Sequence, residues 1–445
     1  FTAWKLVARC YDDRRARTGA VALLAVWLTL PVAGTSLILM DPYVTARSIS
    51  TPCALAALAG ILDLQERGRS VRGLRLVRSL LLVGCALIFG MLFHPLMTAY
   101  AAACSLVLAA MLRFRSTWPW TLGLACLAAI VTAATLQVLS TPEGPGYTRV
   151  ALTRAYWFLS QWRWYEWFGL AAPLLLLAMM AIRWRDDRSN RAALAQMSVT
   201  MGLAAILVAL LFARIDNRTH LVARLQPLRI FHTVYLVMAL FLGAEMGRRL
   251  LRRSAVRWAV TFAALASVML MADRCVYPAS AHIEWPWHTT RSTETNPWVR
   301  AFLWVRENTS RDALVALDAD YIEKPSEDAQ CFRAIAERSA LPDYSKDGGE
   351  ASITPSLTKE WIDGESAQEQ LSAETDEKRI SALKPFGVDW VVLEKSAVTG
   401  FACDYANEAV KVCRMPRQLR AALSSSPALT SHLPARALAP PPARR

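Results

Sequence analysis

LVRSLLLVGCALIFGMLF (residues 76–93) and PLMTAYAAACSLVLAAML (95–112), parted only by His94, decide the class of fold. Each run is 18 residues long and carries at most one charge. At about 1.5 Å of rise per residue such a helix comes close to the roughly 30 Å of a bilayer's hydrocarbon core. Pro95 cannot sit inside a helix, so His94-Pro95 reads as a tight turn between two antiparallel spans.

Working outward, the same reading gives apolar segments at Gly19–Met40, Ser50–Leu64, Trp118–Leu139, Phe168–Arg183, Leu194–Ala213, Leu228–Gly247 and Ala255–Ala272. The expectation is an α-helical polytopic membrane domain of about nine transmembrane helices. With 54% hydrophobic residues among 445, the chain is too apolar for an ordinary soluble enzyme of this length.

The net charge of +14 is unevenly distributed. Residues 1–290 hold 30 Lys/Arg against 13 Asp/Glu, whereas residues 291–415 hold 15 against 23. The basic residues sit in the short connections, and this excludes a nucleic-acid-binding surface on a folded basic domain. Connections on the N-terminal side of the nine spans carry 21 Lys/Arg and those on the other side 8. The positive-inside bias therefore predicts a cytoplasmic segment at 1–18, a transmembrane domain at 19–272 and an extracytoplasmic domain at 273–415.

The C-terminal part changes pattern. Asn296-Pro297 suits a helix start, with apolar Trp298, Phe302 and Val305 on one face. A strand at 313–317, helices at 331–338 and 358–371 and a strand at 388–393 make this an α/β domain of two or three layers. The Pro/Ala/Ser/Arg-rich residues 416–445 read as a disordered tail. The chain opens at Phe1 with neither an initiator methionine nor a signal-peptide pattern, as expected of a piece of a longer protein.

Between Tyr147 and Phe168 nine aromatic residues interleave with arginines. The segment is too polar to span and too aromatic for a free loop, so it is expected to lie along the outer interface as an amphipathic helix, with Glu166 as its polar member.

Cys10, Cys53, Cys85, Cys104 and Cys126 form no Cys-x-x-Cys and read as small apolar residues; no metal site or cofactor is expected. Cys403 and Cys413 flank a hairpin turn around Asn407, where either a disulfide or two free thiols would fit. Walker, dinucleotide-binding, zincin and nucleophile-elbow motifs are all absent.

Polar residues beside the membrane remain as candidates, because ionisable groups are costly there. Asp41, Arg47, His94, Glu166, Asp216, Arg224, Gln226, Arg229 and His232 all fall at the outer ends of the expected helices and could line one cavity. Plainer roles also exist. Asp41-Pro42 can end a helix, His94 can bond a carbonyl freed by Pro95, and arginines can snorkel toward headgroups.

The runs Asp41-Pro42-Tyr43-Val44-Thr45-Ala46-Arg47, His94-Pro95-Leu96-Met97, Trp164-Tyr165-Glu166-Trp167 and Gln226-Pro227-Leu228-Arg229 with Phe231-His232 resemble an uncharacterised family of bacterial polytopic membrane proteins. Asn296-Pro297-Trp298, Glu337-Arg338-Ser339 and Phe386-Gly387-Val388 extend the resemblance into the C-terminal domain. The layout is similar to GT-C-class glycosyltransferases, which use polyprenyl-phosphate sugars. In that class the catalytic carboxylate sits in the first outer loop, which would precede Phe1 here.

The resemblance implies sugar transfer from a polyprenyl-phosphate donor at the outer face. Asp41 or Glu166 would serve as base, with Arg47, His94, Arg224, Gln226, Arg229 and His232 binding substrate. Membrane lipids are the expected partners. The competing expectation is a non-catalytic scaffold or transporter-like module whose outer domain binds a partner.

Overall fold

The computed structural model describes residues 1–41, 44–64, 72–114, 117–184, 189–276, 296–323 and 332–416. It divides into two compact units, Phe1–Asp273 and Arg274–Arg445. All but the first residue of the expected tail 416–445 lies outside the described residues.

The first unit is helical: α1 (Thr2–Ala8), α2 (Arg14–Val26), α3 (Ala46–Asp63), α4 (Arg72–Phe93), α5 (Pro95–Arg113), α6 (Trp118–Leu139), α7 (Pro145–Leu152), α8 (Trp164–Arg183), α9 (Asn190–Phe212), the single turn α10 (Leu221–Arg224), α11 (Phe231–Glu245) and α12 (Ala255–Val276). Among the described residues seven helical stretches are long and apolar enough to cross a membrane. They are Leu76–Phe93, Pro95–Arg113, Trp118–Leu139, Trp164–Arg183, Asn190–Phe212, Leu221–Leu251 and Ala255–Cys275, and they fit a multi-pass membrane protein. Leu221–Leu251 is the most buried, whereas Ala255–Cys275 buries none of its residues within the unit.

Two of the nine expected spans are not among these seven. Gly19–Met40 breaks in half: α2 ends at Val26, and Pro31 then starts a hairpin in which Val32 N–H donates to Leu37 O at 2.7 Å and Leu39 N–H to Leu30 O at 3.0 Å. Hydropathy averages over that break. The proline removes a helical donor, and Ala33 and Ser36 take positive φ to close the turn. The hairpin's Val32, Leu37 and Leu39 are buried in the core. In place of Ser50–Leu64 stands α3, which is 18 residues long but less apolar, because Arg47, Ser48, Ser50, Thr51 and Pro52 fill its first two turns.

The short α2 packs on α11 through glycines. A Cβ on Gly243 would lie 2.4 Å from Gly19 O, and one on Gly247 2.4 Å from Arg15 O, so the Gly243-x-x-x-Gly247 pair lets the two backbones touch.

The aromatic segment is not one interfacial helix. It is α7, two 3-10 turns (Ala155–Trp157 and Leu159–Gln161) and the start of α8. Consecutive Tyr156, Trp157 and Phe158 cannot share one helical face, and Tyr147, Trp157, Phe158 and Trp162 are buried in the core. Only Trp164, Tyr165, Trp167 and Phe168, on the first turns of α8, stay exposed.

The second unit is three-layered. Helix α13 (Pro297–Asn308) starts where Asn296 Oδ1 accepts the Trp298 N–H at 2.9 Å, and it is followed by β1 (Leu314–Ala316), α14 (Phe332–Ala336), β2 (Ser339–Ala340), α15 (Lys346–Ile353), α16 (Thr358–Gln368), α17 (Asp376–Leu383), β3 (Trp390–Glu394), β4 (Cys403–Ala406) and β5 (Val410–Arg414). Strand order is β2-β1-β3-β5-β4, parallel across β2-β1-β3 and antiparallel across β3-β5-β4. Side chains alternate across a strand. Val315, Trp390, Val392 and Val412 therefore pack with α13 and α14 on one face, while Ala316, Val391, Leu393 and Cys413 meet Leu371, Ile380 and Leu383 on the other. Cys403 and Cys413 are directly opposed on β4 and β5 and form a disulfide, beside the turn that Asn407 closes by accepting the Val410 N–H at 2.9 Å.

Candidate functional site

Asp41 closes the hairpin of the first unit, and α3 begins five residues later. Thr45 caps α3 in a capping box with Ser48, and its hydroxyl also donates to Asp41. Arg47, in the first turn of α3, pairs with Asp41 through two hydrogen bonds, one of them Nε to Oδ2 at 3.0 Å. The Asp41 side chain is only 4% exposed, so the pair is largely withdrawn from water.

His94 caps α5, its Nδ1 accepting the Met97 N–H at 3.5 Å. The charges of Arg229, Arg47 and Asp41 all act on it. Buried His232, on the first turn of α11, bonds Leu39 O through Nε2 at 2.8 Å, and so ties α11 to the hairpin two residues before Asp41. Arg229 lies on a 3-10 turn, Pro227–Ile230, within electrostatic reach of Tyr156, Arg47, Tyr100 and Asp41.

Six of the residues named from sequence thus converge: Asp41, Arg47, His94, Gln226, Arg229 and His232. Three do not join them. Glu166 accepts the Arg163 N–H at 2.6 Å and caps α8. Arg224 faces the Tyr147 ring at 6.0 Å. Asp216 pairs with Arg214 on an exposed loop. Two residues went unnamed from sequence. Tyr100 donates from its hydroxyl to Leu225 O, and Tyr156 is within electrostatic reach of Arg229. The signal for Tyr100 was its being the sole aromatic residue in the run 95–112.

Partnering separates the cations in this cluster. Arg47 has its carboxylate, whereas Arg229 makes no hydrogen bond or ion pair among the described residues, and its Nε is buried without a partner. Gln226, only 4% exposed, has neither amide atom bonded. Ser50 Oγ and Thr51 Oγ1, one turn along α3 from Arg47, are likewise buried and unbonded. Buried polar groups are normally satisfied, so such a concentration marks a place prepared for something else to bind.

A second polar centre lies in the α/β unit. A crevice of about 650 Å³ opens at the carboxyl ends of β1 and β3, where the strand order reverses, and Asp318, Asp320, Asp376 and Glu394 are among its lining residues. Its buried groups are satisfied internally. Asp318 accepts the Ser372 hydroxyl and, at 3.1 Å, the Ser372 N–H. Asp376 accepts from Arg379, Thr399 and the Gly400 N–H. Burial works to raise the Asp376 pKa, but these donors hold it below the usual carboxylate value. No metal-holding group of His, Cys, Asp or Glu occurs among the described residues. The adjoining cavity of about 250 Å³, at the ends of β1 and β2, is mostly apolar. Neither has an unmet donor comparable to Arg229.

Compared with protein-family models and with curated proteins, the chain matches none.

Proposed function

We propose that the helical unit binds the phosphate of a lipid-linked substrate at Arg229, beside the Asp41–Arg47 pair, and serves as the donor site for GT-C-like transfer of a sugar from a polyprenyl phosphate. The observation that carries this is the half-buried Arg229, whose Nε is buried without a partner and which pairs with no carboxylate among the described residues. A planar fork without an internal anion is suited to a bidentate oxyanion, and the apolar helix faces around it suit a prenyl chain. His94 and Tyr156 lie within electrostatic reach of the same cluster.

The paired state of Asp41 bears on catalysis. Both oxygens of Asp41 are engaged by Arg47 and Thr45, so in this reading the carboxylate is freed for an acceptor only when substrate phosphate draws Arg47 away. The same pairing favours the second reading, a non-catalytic lipid-binding module, in which Asp41 simply orients Arg47. We place the site and the α/β unit on the outer side of the inner membrane. The 21-to-8 arginine and lysine bias supports this, as does the Cys403–Cys413 disulfide, which persists in an oxidising compartment.

The test is direct binding of undecaprenyl phosphate to the detergent-solubilised chain. Arg229→Ala should weaken it about tenfold or more, and Arg229→Lys nearly as much, because the fork is lost while the charge is kept. Unchanged binding in both variants would return Arg229 to a lipid-facing role.

A further inference from the structure

Gln226 is the least satisfied side chain of the cluster. It is 4% exposed, and both Oε1 and Nε2 are buried without a hydrogen-bond partner among the described residues. Its backbone is held firmly in an uncommon conformation: φ is +50°, its N–H donates to Ala223 O at 2.8 Å, and its carbonyl accepts the Arg229 N–H at 2.9 Å. One residue earlier, Leu225 O accepts the Tyr100 hydroxyl. A glutamine with a left-handed backbone and an unmet carboxamide is costly twice over, and such costs concentrate at binding sites.

The position of the residue follows from the local turn. Gln226 caps the 3-10 turn Pro227–Ile230 that carries Arg229, and the bond from the Arg229 N–H to the Gln226 carbonyl holds the two residues one turn apart. Both carry side-chain polar atoms that are buried and unbonded among the described residues. A ligand phosphate at Arg229 would present its next substituent to Gln226.

The chemistry of the carboxamide narrows that substituent. A phosphate oxygen could satisfy Nε2 but would leave Oε1 unmet, and an ammonium would do the reverse. A hydroxyl both donates and accepts, so two neighbouring hydroxyls meet both atoms at once. We infer that Gln226 is a specificity residue that reads a pair of adjacent hydroxyls on a polyol carried by the phosphate, so that the site prefers a glycosylated lipid phosphate to the bare one. This rests on the phosphate reading of Arg229.

The experiment compares undecaprenyl phosphate with undecaprenyl-phosphate glucose as probes, using the full chain and the variants Gln226→Leu and Arg229→Ala. Wild-type protein should prefer the glucosyl lipid by about tenfold, the scale expected when a site built to bond hydroxyls meets a ligand without them. Gln226→Leu, close in shape, should bind undecaprenyl phosphate within about twofold of wild type and lose the preference. Its melting temperature without lipid should hold or rise, since two unmet polar groups disappear. A purely structural glutamine gives the opposite pattern, a lower melting temperature with the preference intact, and that result overturns the inference. Equal binding of the two lipids by wild type overturns it as well. Failure of the underlying reading looks different: Arg229→Ala would then leave undecaprenyl phosphate binding unchanged, whatever Gln226→Leu does.

Discussion

Two arginines, one in each unit, show how differently a guanidinium can be used. Arg379 of the α/β unit is 1% exposed, and every bond within its reach is made: Leu371 O at 2.8 Å, Val398 O and Ser372 O at 2.9 Å, and Asp376 Oδ1 at 2.7 Å. Arg229 of the helical unit makes none among the described residues and has a buried, unbonded Nε. Burying a charge is costly in both places, but only Arg379 recovers that cost within the fold. The lesson is that partnering, more than burial, separates a cation that builds structure from one held ready for a ligand.

The comparison breaks most visibly under substitution to methionine. Arg379→Met strands three carbonyls and a carboxylate at the wall of the crevice, and it should destabilise the α/β unit by about 3–5 kcal/mol in urea unfolding. Arg229→Met removes a cation that makes no hydrogen bond or ion pair among the described residues, so the helical unit should change by less than about 1 kcal/mol or become more stable. Equal losses in the two units would erase the distinction between the two residues.

A second contrast concerns covalent bonds. The α/β unit is stapled across β4 and β5 by Cys403–Cys413, whereas Cys53, Cys85, Cys104 and Cys126 of the helical unit form no disulfide among the described residues. A reductant should therefore lower the stability of the α/β unit by roughly 2–3 kcal/mol and leave the helical unit unmoved. The disulfide also bears on placement. A cysteine introduced at Lys346 should react with a membrane-impermeant maleimide in intact cells, and one introduced at Arg253 should not. Labelling at Arg253 alone would reverse the proposed orientation.

How far each unit could be read from sequence follows the same division. Asp41, Arg47, His94, Gln226, Arg229 and His232 were legible because ionisable or amide groups beside apolar runs are rare and costly. Tyr100 and Tyr156 were not, since an aromatic residue in an apolar segment normally means packing. The capping of α8 by Glu166 left no signal, because Arg163 holds the cap position and no Ser or Thr announced the capping box. The span 19–40 was drawn as one helix because hydropathy is blind to a hairpin whose polar backbone groups bond one another around Pro31. In the α/β unit the strand near 388–393 stood out for its apolar run Trp390-Val391-Val392-Leu393. The pairing of β1 with β2 and β3 joins residues far apart in the chain and left no local trace.

The comparison sharpens on a group that sits in the helical unit yet is partnered like Arg379. His220, its side chain 1% exposed, bonds Glu143 Oε2 through Nδ1 at 2.8 Å and Ile215 O through Nε2 at 3.2 Å, with the edge of Phe158 against it. The pair lies in the loops outside the seven apolar stretches and ties the segment before α7 to the one before α10. The hydrogen bond from the His220 ring to Glu143 raises the His220 pKa above its ordinary 6.5, against the burial that would lower it. Burial would raise Glu143, but the bonds from His220 and Thr219 hold it below its ordinary 4.5. The signs then follow. A raised histidine contributes stability that is complete below 6.5 and lost as pH climbs through its folded value. A lowered carboxylate contributes stability that is present above 4.5 and lost as pH falls through its folded value. Between those limits both terms act together. If satisfied pairs are structural, stability of the helical unit should fall as pH rises above 6.5 and through the folded His220 value, and His220→Gln should flatten that slope. Binding of undecaprenyl phosphate at Arg229 should be the same in His220→Gln as in wild type. If His220→Gln kept the full slope, or weakened lipid binding while leaving stability alone, a bonded pair would be acting in function, and partnering would no longer tell the two kinds of group apart.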